Sequence, residues 1–332
     1  MKAPTYKGID IPKIDVHVHA LPPAYREGLL TRGEEYPDGF PTPYWNPEAH
    51  IAFMNQLGIA TAMLSISSPH LNFGDDEVAR QLARNVNEYA ADLVVKHPGR
   101  FGLLASLPLP DADASIEEIE HCVDVLAADG FTVPTNTQGV YLGNPYLDPV
   151  MEELDKREAV VVLHPNKPSA VPENVVEGLP VPMMEFLFDT TRTVTNMMLK
   201  GTFKRFPNIK FVIPHAGAFL SILADRIAMV GSVLPNLAPK LDVFGDLKRL
   251  YYDIAGMCLP RQLAALLTLV DPSHLLYGSD FPYTPESGCI LLAQGLDKTP
   301  LLTDEQRQAV YHDNALALFP RLHSVEESLG RC

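Results

Sequence analysis

The chain has 332 residues, enough for two average domains or one large α/β barrel, and enough to bury a core without disulfide or metal staples. A hydrophobic fraction of 46% and a charged fraction of 20% describe a soluble globular protein. The net charge of -15 argues against nucleic acid and anionic membrane surfaces as partners.

The N-terminal stretch, residues 1–12, mixes charge and proline without an apolar segment, so it does not read as a signal peptide. The first apolar run follows at 14–20. It contains Ile14-Asp15-Val16-His17-Val18-His19. In a strand, residues i and i+2 point to the same face, so His17 and His19 can grip one metal ion from one side of a sheet. The next segment, 21–47, is rich in proline and long for a connection between strand and helix. It reads as an insertion that covers an active site.

Seven more short runs follow, at 61–67, 101–107, 130–135, 160–164, 209–214, 251–255 and 275–279. Val160-Val161-Val162-Leu163 and Phe211-Val212-Ile213 are continuous apolar stretches, as expected of parallel strands buried on both faces. Amphipathic stretches fall between the runs. Residues 77–97 place Val78, Leu82, Val86 and Tyr89 on one side. Residues 115–128 open with Ser115 and Glu118 in the spacing of a capping box. Residues 147–158, 183–206, 217–230, 260–269 and 303–318 are the other helical segments. A second proline-rich insertion spans 165–182.

Eight strands alternating with helices predict an α/β protein of the (β/α)8 barrel type, in a single domain over 1–332 with insertions at 21–47 and 165–182. No glycine-rich turn follows the first strand, so a dinucleotide-binding open sheet is disfavoured and no organic cofactor is expected. No run of about 18 apolar residues offers a membrane span. Cys122, Cys258, Cys289 and Cys332 lack metal-type or redox-type spacing. They read as reduced thiols of a cytoplasmic protein.

In such a barrel the reactive groups gather at the C-terminal ends of the strands. His17 and His19 end the first run, His164 the fifth, His215 the sixth and Asp280 the eighth. Alone, His164 would be a satisfied core histidine and Asp280 a helix cap. Together, four imidazoles and a carboxylate at four strand ends predict a site for one divalent metal, zinc first and manganese on the same donors. His70, after the second run, is a candidate to reach the same mouth. His50, His97, His121, His274, His312 and His323 are assigned to helices or turns as surface or capping residues. Phe40, Tyr44, Trp45, Phe73, Phe188 and Phe281 are candidates to line an aromatic pocket, with core packing as the alternative for each.

These motifs, with Trp45-Asn46-Pro47, Val162-Leu163-His164-Pro165, His215-Ala216-Gly217, Gly278-Ser279-Asp280-Phe281-Pro282 and Asp313-Asn314-Ala315, resemble the decarboxylase branch of the amidohydrolase superfamily over nearly the whole chain. That branch includes the aminocarboxymuconate semialdehyde, γ-resorcylate and 6-methylsalicylate decarboxylases. Tyr141-Leu142-Gly143-Asn144-Pro145 and Thr191-Arg192 look most like the last group.

The resemblance implies that His17, His19, His164 and Asp280 hold the metal and that His215 stands beside it as an acid/base. It also implies that Arg226, eleven residues after His215, meets a substrate carboxylate in a neighbouring subunit of a homodimer or larger homo-oligomer. A helix-surface ion pair is the alternative for Arg226. No lysine stands in 131–136, which implies one metal rather than two. The segment 36–44 before Trp45 offers no match to the arginine that the muconate-type enzyme has upstream of its Trp-x-Pro segment, which weakens a dicarboxylate substrate. Ala218 and His17 stand where resorcylate-type enzymes have glutamates.

The activity expected is a metal-dependent, non-oxidative decarboxylation of a small hydroxy-aromatic acid such as 6-methylsalicylate or another 2-hydroxybenzoate. Asp280 is the expected proton donor and His215 its relay, with Arg226, His70 and Phe281 as substrate contacts. A metal-dependent hydrolase on the same site is the first rival, and a metal-dependent binding protein without turnover is the second.

Overall fold

The computed structural model describes residues 6–33, 36–172, 174–175, 177–236, 241–328 and 330. Eight parallel strands lie in chain order: β1 (Lys13–His19), β2 (Ile59–Ser65), β3 (Phe101–Ser106), β4 (Gly130–Pro134), β5 (Val160–His164), β6 (Lys210–Ile213), β7 (Tyr251–Asp253) and β8 (Leu275–Leu276). Each coincides with one of the eight sequence runs, within a few residues at either end. The last strand returns to the first through Val16 N–H to Tyr277 O at 3.0 Å and His19 N–H to Phe281 O at 2.8 Å. The sheet therefore closes into a (β/α)8 barrel.

Alternation along each strand sorts the side chains into two layers. Met63, Leu104, Val160, Val162, Val212 and Leu276 form an inner cluster that Leu318, Phe319 and Leu322 of the C-terminal segment help to complete. Leu64, Leu103, Phe131, Val161, Leu163 and Phe211 face outward into the larger cluster shared with the helices. Burying both faces is why these strands read as unbroken apolar runs.

The first strand departs from simple alternation. Ile14 and Val16 belong to the inner cluster and Val18 to the outer one, and the β1–β2 register slips between Asp15 and Val18. A bulge of this kind inserts an extra residue and re-aims the side chains after it. Here it turns His17 and His19 to the barrel mouth above Val16. The next-but-one rule thus holds for the two histidines, although the strand behind them follows a different phase.

Several of the helices start on side-chain caps that the sequence supplies. Asn46 caps Pro47–Leu57 through Ala49 N–H, and Asp75 caps Asp76–Lys96 through Val78 N–H. The helix expected at 115–128 begins earlier, at Ala112, and its cap is Asp111, which accepts from Ala114 N–H at 3.1 Å. Ser115 is therefore inside the helix, where its hydroxyl donates to Asp111 O at 2.6 Å. Glu118 is buried and receives Asn87 and Arg84 rather than closing a capping box. The segment 303–318 opens on a true capping box, Thr303 with Gln306, but is interrupted by a π-helical turn at Ala309–Asp313.

The segment 21–47 carries a helix, Pro23–Leu30, and a short turn, Pro37–Gly39, among its described residues. After β4 an antiparallel pair, Asn136–Thr137 with Val140–Tyr141, was absent from the sequence expectation. Its runs are two residues each, too short for any periodicity to mark. Among the described residues no helix is long and apolar enough to cross a membrane. Cys122, Cys258 and Cys289 are buried free thiols, and Cys332 lies outside the described residues.

Candidate metal centre

The strand ends bring together residues separated by up to 263 positions in the chain, from His17 to Asp280. The ligand atoms of His17, His19 and His164 lie within 4.8 Å of one another, as do those of His17, His215 and Asp280. Asp280 Oδ1 is 3.2 Å from His19 Nε2 and 3.6 Å from His17 Nε2.

The hydrogen bonds behind each ring fix which nitrogen faces the common point. His17 Nδ1 donates to Asp253 Oδ2 at 2.9 Å. His164 Nδ1 donates to Pro165 O at 2.7 Å, since a carbonyl only accepts. The Ser65 hydroxyl gives its hydrogen to Val18 O at 2.7 Å, so at 3.1 Å it accepts from His19 Nδ1. All three imidazoles therefore carry hydrogen on Nδ1 and turn Nε2 inward. His17 Nε2 is buried with no hydrogen-bond partner. Leaving a buried polar atom unpaired costs about 1–3 kcal/mol, and a cation at that point would remove the cost. Outer groups that orient ligating rings in this way are typical of metal sites.

Charge follows the same pattern. Burial disfavours a charged His17, but the Asp253 and Asp280 carboxylates outweigh it and push the ring up to about 9. Burial lowers His19 to about 4 against the pull of Asp280, and burial with the neighbouring rings holds His164 well below its usual value. Burial would raise Asp280, but His19 and His17 bring it down to about 2. At neutral pH the centre thus presents an ionised carboxylate and neutral rings at His19 and His164. The His17 proton is the one an incoming cation must displace.

Local backbone geometry supports the arrangement. Asp280 has φ 61 and donates its N–H to His17 O at 2.7 Å. A left-handed conformation is uncommon for a residue with a side chain and marks a position that its surroundings enforce. Gly278 has to be glycine, since a Cβ there would lie 2.8 Å from His17 Cβ and 3.1 Å from Ala255 Cβ. His215, at φ 55, is partly buried, lies with its ring centroid 5.0 Å from that of His17, and keeps a buried, unpartnered Nδ1. Burial lowers its pKa, and His17 adds to the effect.

A cavity of about 470 Å³ opens over the centre, within the size range of small-molecule sites. His164, His215 and Asp280 line it, with Ser67, Gln262 and Tyr283. Its other walls are largely apolar, including Phe40, Met183 and Phe186.

Several expected residues stand elsewhere. His70 is buried behind His164, ring centroids 5.2 Å apart, and does not line the cavity. Phe281 stacks on Phe53 at 3.9 Å in the layer between barrel and helix, so it is a core residue rather than a substrate contact. The outward phase of the residue after Asp280 accounts for this. Arg226 is exposed on the helix Leu220–Ser232 and lies outside the cavity of its own chain. It has no ion pair among the described residues, so the surface-pair alternative is not observed either. Of the six aromatic candidates Phe40 alone lines this cavity. Trp45 is buried and donates to His50 Nδ1 at 3.0 Å. His50 is itself fully buried, against its assignment to the surface.

Sequence reasoning missed Asp253, which also accepts His215 N–H at 3.0 Å and so ties two strand ends to one carboxylate. The available signal was a carboxylate at the end of a strand run, in Tyr251-Tyr252-Asp253-Ile254-Ala255. Tyr283, Phe186 and Gln262 carried no comparable signal.

A barrel with histidines on strands one, five and six and an aspartate after strand eight defines a class. The chain belongs to the amidohydrolase family, whose model matches residues 14–321. It is similar to the 6-methylsalicylic acid decarboxylase of Penicillium expansum, 34% identical over 319 residues that cover 94% of this chain and 98% of that protein. A crystal structure of an amidohydrolase II protein is 45% identical, with a TM-score of 0.90 over 93% of this chain and 99% of that one. The dihydroxybenzoic acid decarboxylase of Polaromonas sp. JS666, solved with manganese and 2-nitroresorcinol, shares the fold at 21% identity and a TM-score of 0.81, covering 93% of this chain and 97% of that one.

Proposed function

We propose that this protein is a metal-dependent, non-oxidative decarboxylase of a small hydroxy-aromatic acid, with 6-methylsalicylate or a related 2-hydroxybenzoate as substrate. The observation that carries the reading is that the ligand atoms of His17, His19 and His164 lie within 4.8 Å of one another, with Asp280 Oδ1 3.2 Å from His19 Nε2 and 3.6 Å from His17 Nε2, beside a largely apolar cavity. The likeness to a 6-methylsalicylic acid decarboxylase over almost the full length of both chains supports the choice of reaction.

His17, His19, His164 and Asp280 would hold one divalent ion. Zinc is the first choice for nitrogen and carboxylate donors, and manganese suits the same set. The ion would act as a Lewis acid for charge developing on the substrate oxygens. Asp280, ionised at neutral pH, takes the phenolic proton of the substrate and returns it to the ring carbon that bears the carboxylate. The ring loses aromaticity, the carbon–carbon bond breaks, carbon dioxide leaves, and the electron pair restores the ring as a phenolate that solvent protonates. His215, beside His17 at the cavity wall, orients Asp280 or relays its proton.

The segments 21–47 and 165–182 contribute Pro37, Phe40 and Pro180 to the cavity wall, which suits a cover over the reaction. Arg226 can meet a substrate only in a neighbouring copy, so that part of the reading requires a homodimer or larger homo-oligomer. The free thiols suit a reducing compartment such as the cytoplasm.

Incubation of the metal-loaded protein with 6-methylsalicylate tests the proposal: carbon dioxide and 3-methylphenol are expected in equal amounts. Turnover of an amide or lactone with uptake of water, and none of any hydroxybenzoate, would favour a hydrolase instead.

A further inference from the structure

His17, His19 and His164 are each anchored through Nδ1, by Asp253, Ser65 and the Pro165 carbonyl. His215 is not: its Nδ1 is buried without a partner. The placement of its ring therefore rests on the backbone that carries it. His215, Ala216, Gly217 and Ala218 all adopt positive φ, at 55, 50, 72 and 52. Three of the four bear a Cβ. Ala218, with ψ -119, takes the first central position of a type II′ turn, where glycine is usual. Such a run persists only where its surroundings enforce it.

The enforcement comes from several elements. The His215 N–H donates to Asp253 Oδ1 at the end of β7, at 3.0 Å. The Phe219 N–H donates to Thr191 Oγ1 at 3.1 Å. The remaining tie is Gln262, the first residue of the helix Gln262–Leu266 and 47 positions from His215 in the chain. Its Nε2 donates to His215 O and, at 3.2 Å, to Ala218 O. Carbonyl oxygens only accept, so the amide can face the turn through its nitrogen alone. One side chain thus bonds the first and the last residue of the left-handed run. Gln262 also lines the cavity, as His215 does. Asp253 holds His17 as well, whereas the side-chain hydrogen bonds of Gln262 among the described residues go to this turn alone.

We propose that Gln262 is the positioning residue of His215: by bonding both ends of the turn 215–218 it keeps the imidazole at the cavity wall, in place to act with Asp280. This rests on the reading that His215 orients Asp280 or relays its proton, and it adds the residue that keeps His215 there. Gln262 acts through His215. It does not act on the metal donors, which stand on β1, on β5 and after β8.

Two variants remove the tie in different ways. Gln262→Glu keeps the shape and sets an acceptor against two carbonyls, and Gln262→Met keeps the length without donor or charge, so a folding defect in one leaves the other to decide. Nitrogen–proton NMR spectra of the imidazoles in the zinc-loaded protein read the outcome directly, with the His215 signals assigned by their absence in His215→Ala. In both variants the His215 signals should shift or broaden while those of His19 and His164 stay in place. Decarboxylation should lose about 10–100-fold in kcat, the scale expected when a reacting group is misplaced by about an ångström. KM and zinc affinity should change little. In a His215→Ala background either substitution should cost nothing further, because the two residues act as one unit. Unchanged His215 signals, or losses in kcat that multiply undiminished in the double variants, would overturn the proposal. A protein that turns over no hydroxybenzoate would refute the proposed reaction, while the His215 signals would still decide the role of Gln262.

Discussion

His17 carries the sharpest consequence at the scale of single residues. Its ring is held protonated to about 9 by Asp253 and Asp280 against the effect of burial. Metal binding at Nε2 must expel that proton. Apparent affinity for the ion should therefore rise with pH, approaching tenfold per unit below pH 9, and flatten above it. Titration of the metal-free protein with a competing chelator between pH 6 and 10 measures this. Asp253→Asn removes the main support of the proton and the partner that orients the ring. It should shift the flattening point down in pH and weaken binding about 10–100-fold above it. A slope and plateau unchanged by the substitution would mean that His17 is not a ligand. Asp280→Ala should abolish decarboxylation, because it removes both a donor to the ion and the group that moves the proton; full turnover in that variant would assign the proton transfer elsewhere.

At the scale of elements, the barrel was legible because its strands are buried on both faces and its helices on one. The apolar runs therefore marked the eight strands approximately and the 3.6-residue pattern seven helical segments, while the helices Pro47–Leu57 and Glu286–Lys298 went unmarked. The grouping of the candidate ligands was legible for a related reason: residues at strand ends share one mouth once the topology is known, whatever their distance in sequence. What escaped was set by contacts between elements. The bulge in β1 arises from pairing with β2, and nothing in the order of residues 13–19 announces it. Phe281 follows Asp280 directly, yet its outward phase sends it to Phe53. The same logic gives Gly278 a role that its neighbours conceal. Gly278→Ala would push a methyl against His17 Cβ, where 2.8 Å is available. The variant should fold with reduced stability and lose most of its metal affinity, with the β8 end displaced from β1. Wild-type metal content in G278A, measured by elemental analysis, would show that the packing of these two strand ends does not position His17.

At the scale of the whole molecule, the buried histidines make the metal-free protein sensitive to acid. His19, His50, His70, His164 and His215 all have pKa values lowered chiefly by burial, with His19 at about 4 and His50 and His70 at about 3. Unfolding restores each to an ordinary value near 6.5. Below pH 6.5 the unfolded chain therefore binds more protons than the folded one, and stability falls as pH falls. Two groups are shifted the other way, and one of them acts within this window. His17, with its raised pKa, adds stability that is complete below pH 6.5 and is lost as pH rises toward 9. Asp15, raised by burial to about 7, favours the folded state increasingly as pH drops from 7 toward 4. Five groups against one leave a net loss between pH 6.5 and 4. Thermal melts of the metal-free protein should show the midpoint dropping steeply across that window, and a flat profile would contradict the burial of these rings. A bound cation favours the folded state by mass action and should raise the midpoint near neutral pH.

On the proposed reading, His17, His19, His164 and Asp280 jointly hold one divalent ion on which decarboxylation depends. The most direct measurement is elemental analysis and decarboxylase assay on the same preparation, before and after chelation and after return of zinc or manganese. About one ion per chain, loss of carbon dioxide release on its removal, and recovery when the ion is restored are expected. Undiminished release of carbon dioxide from protein stripped of transition metal would contradict it.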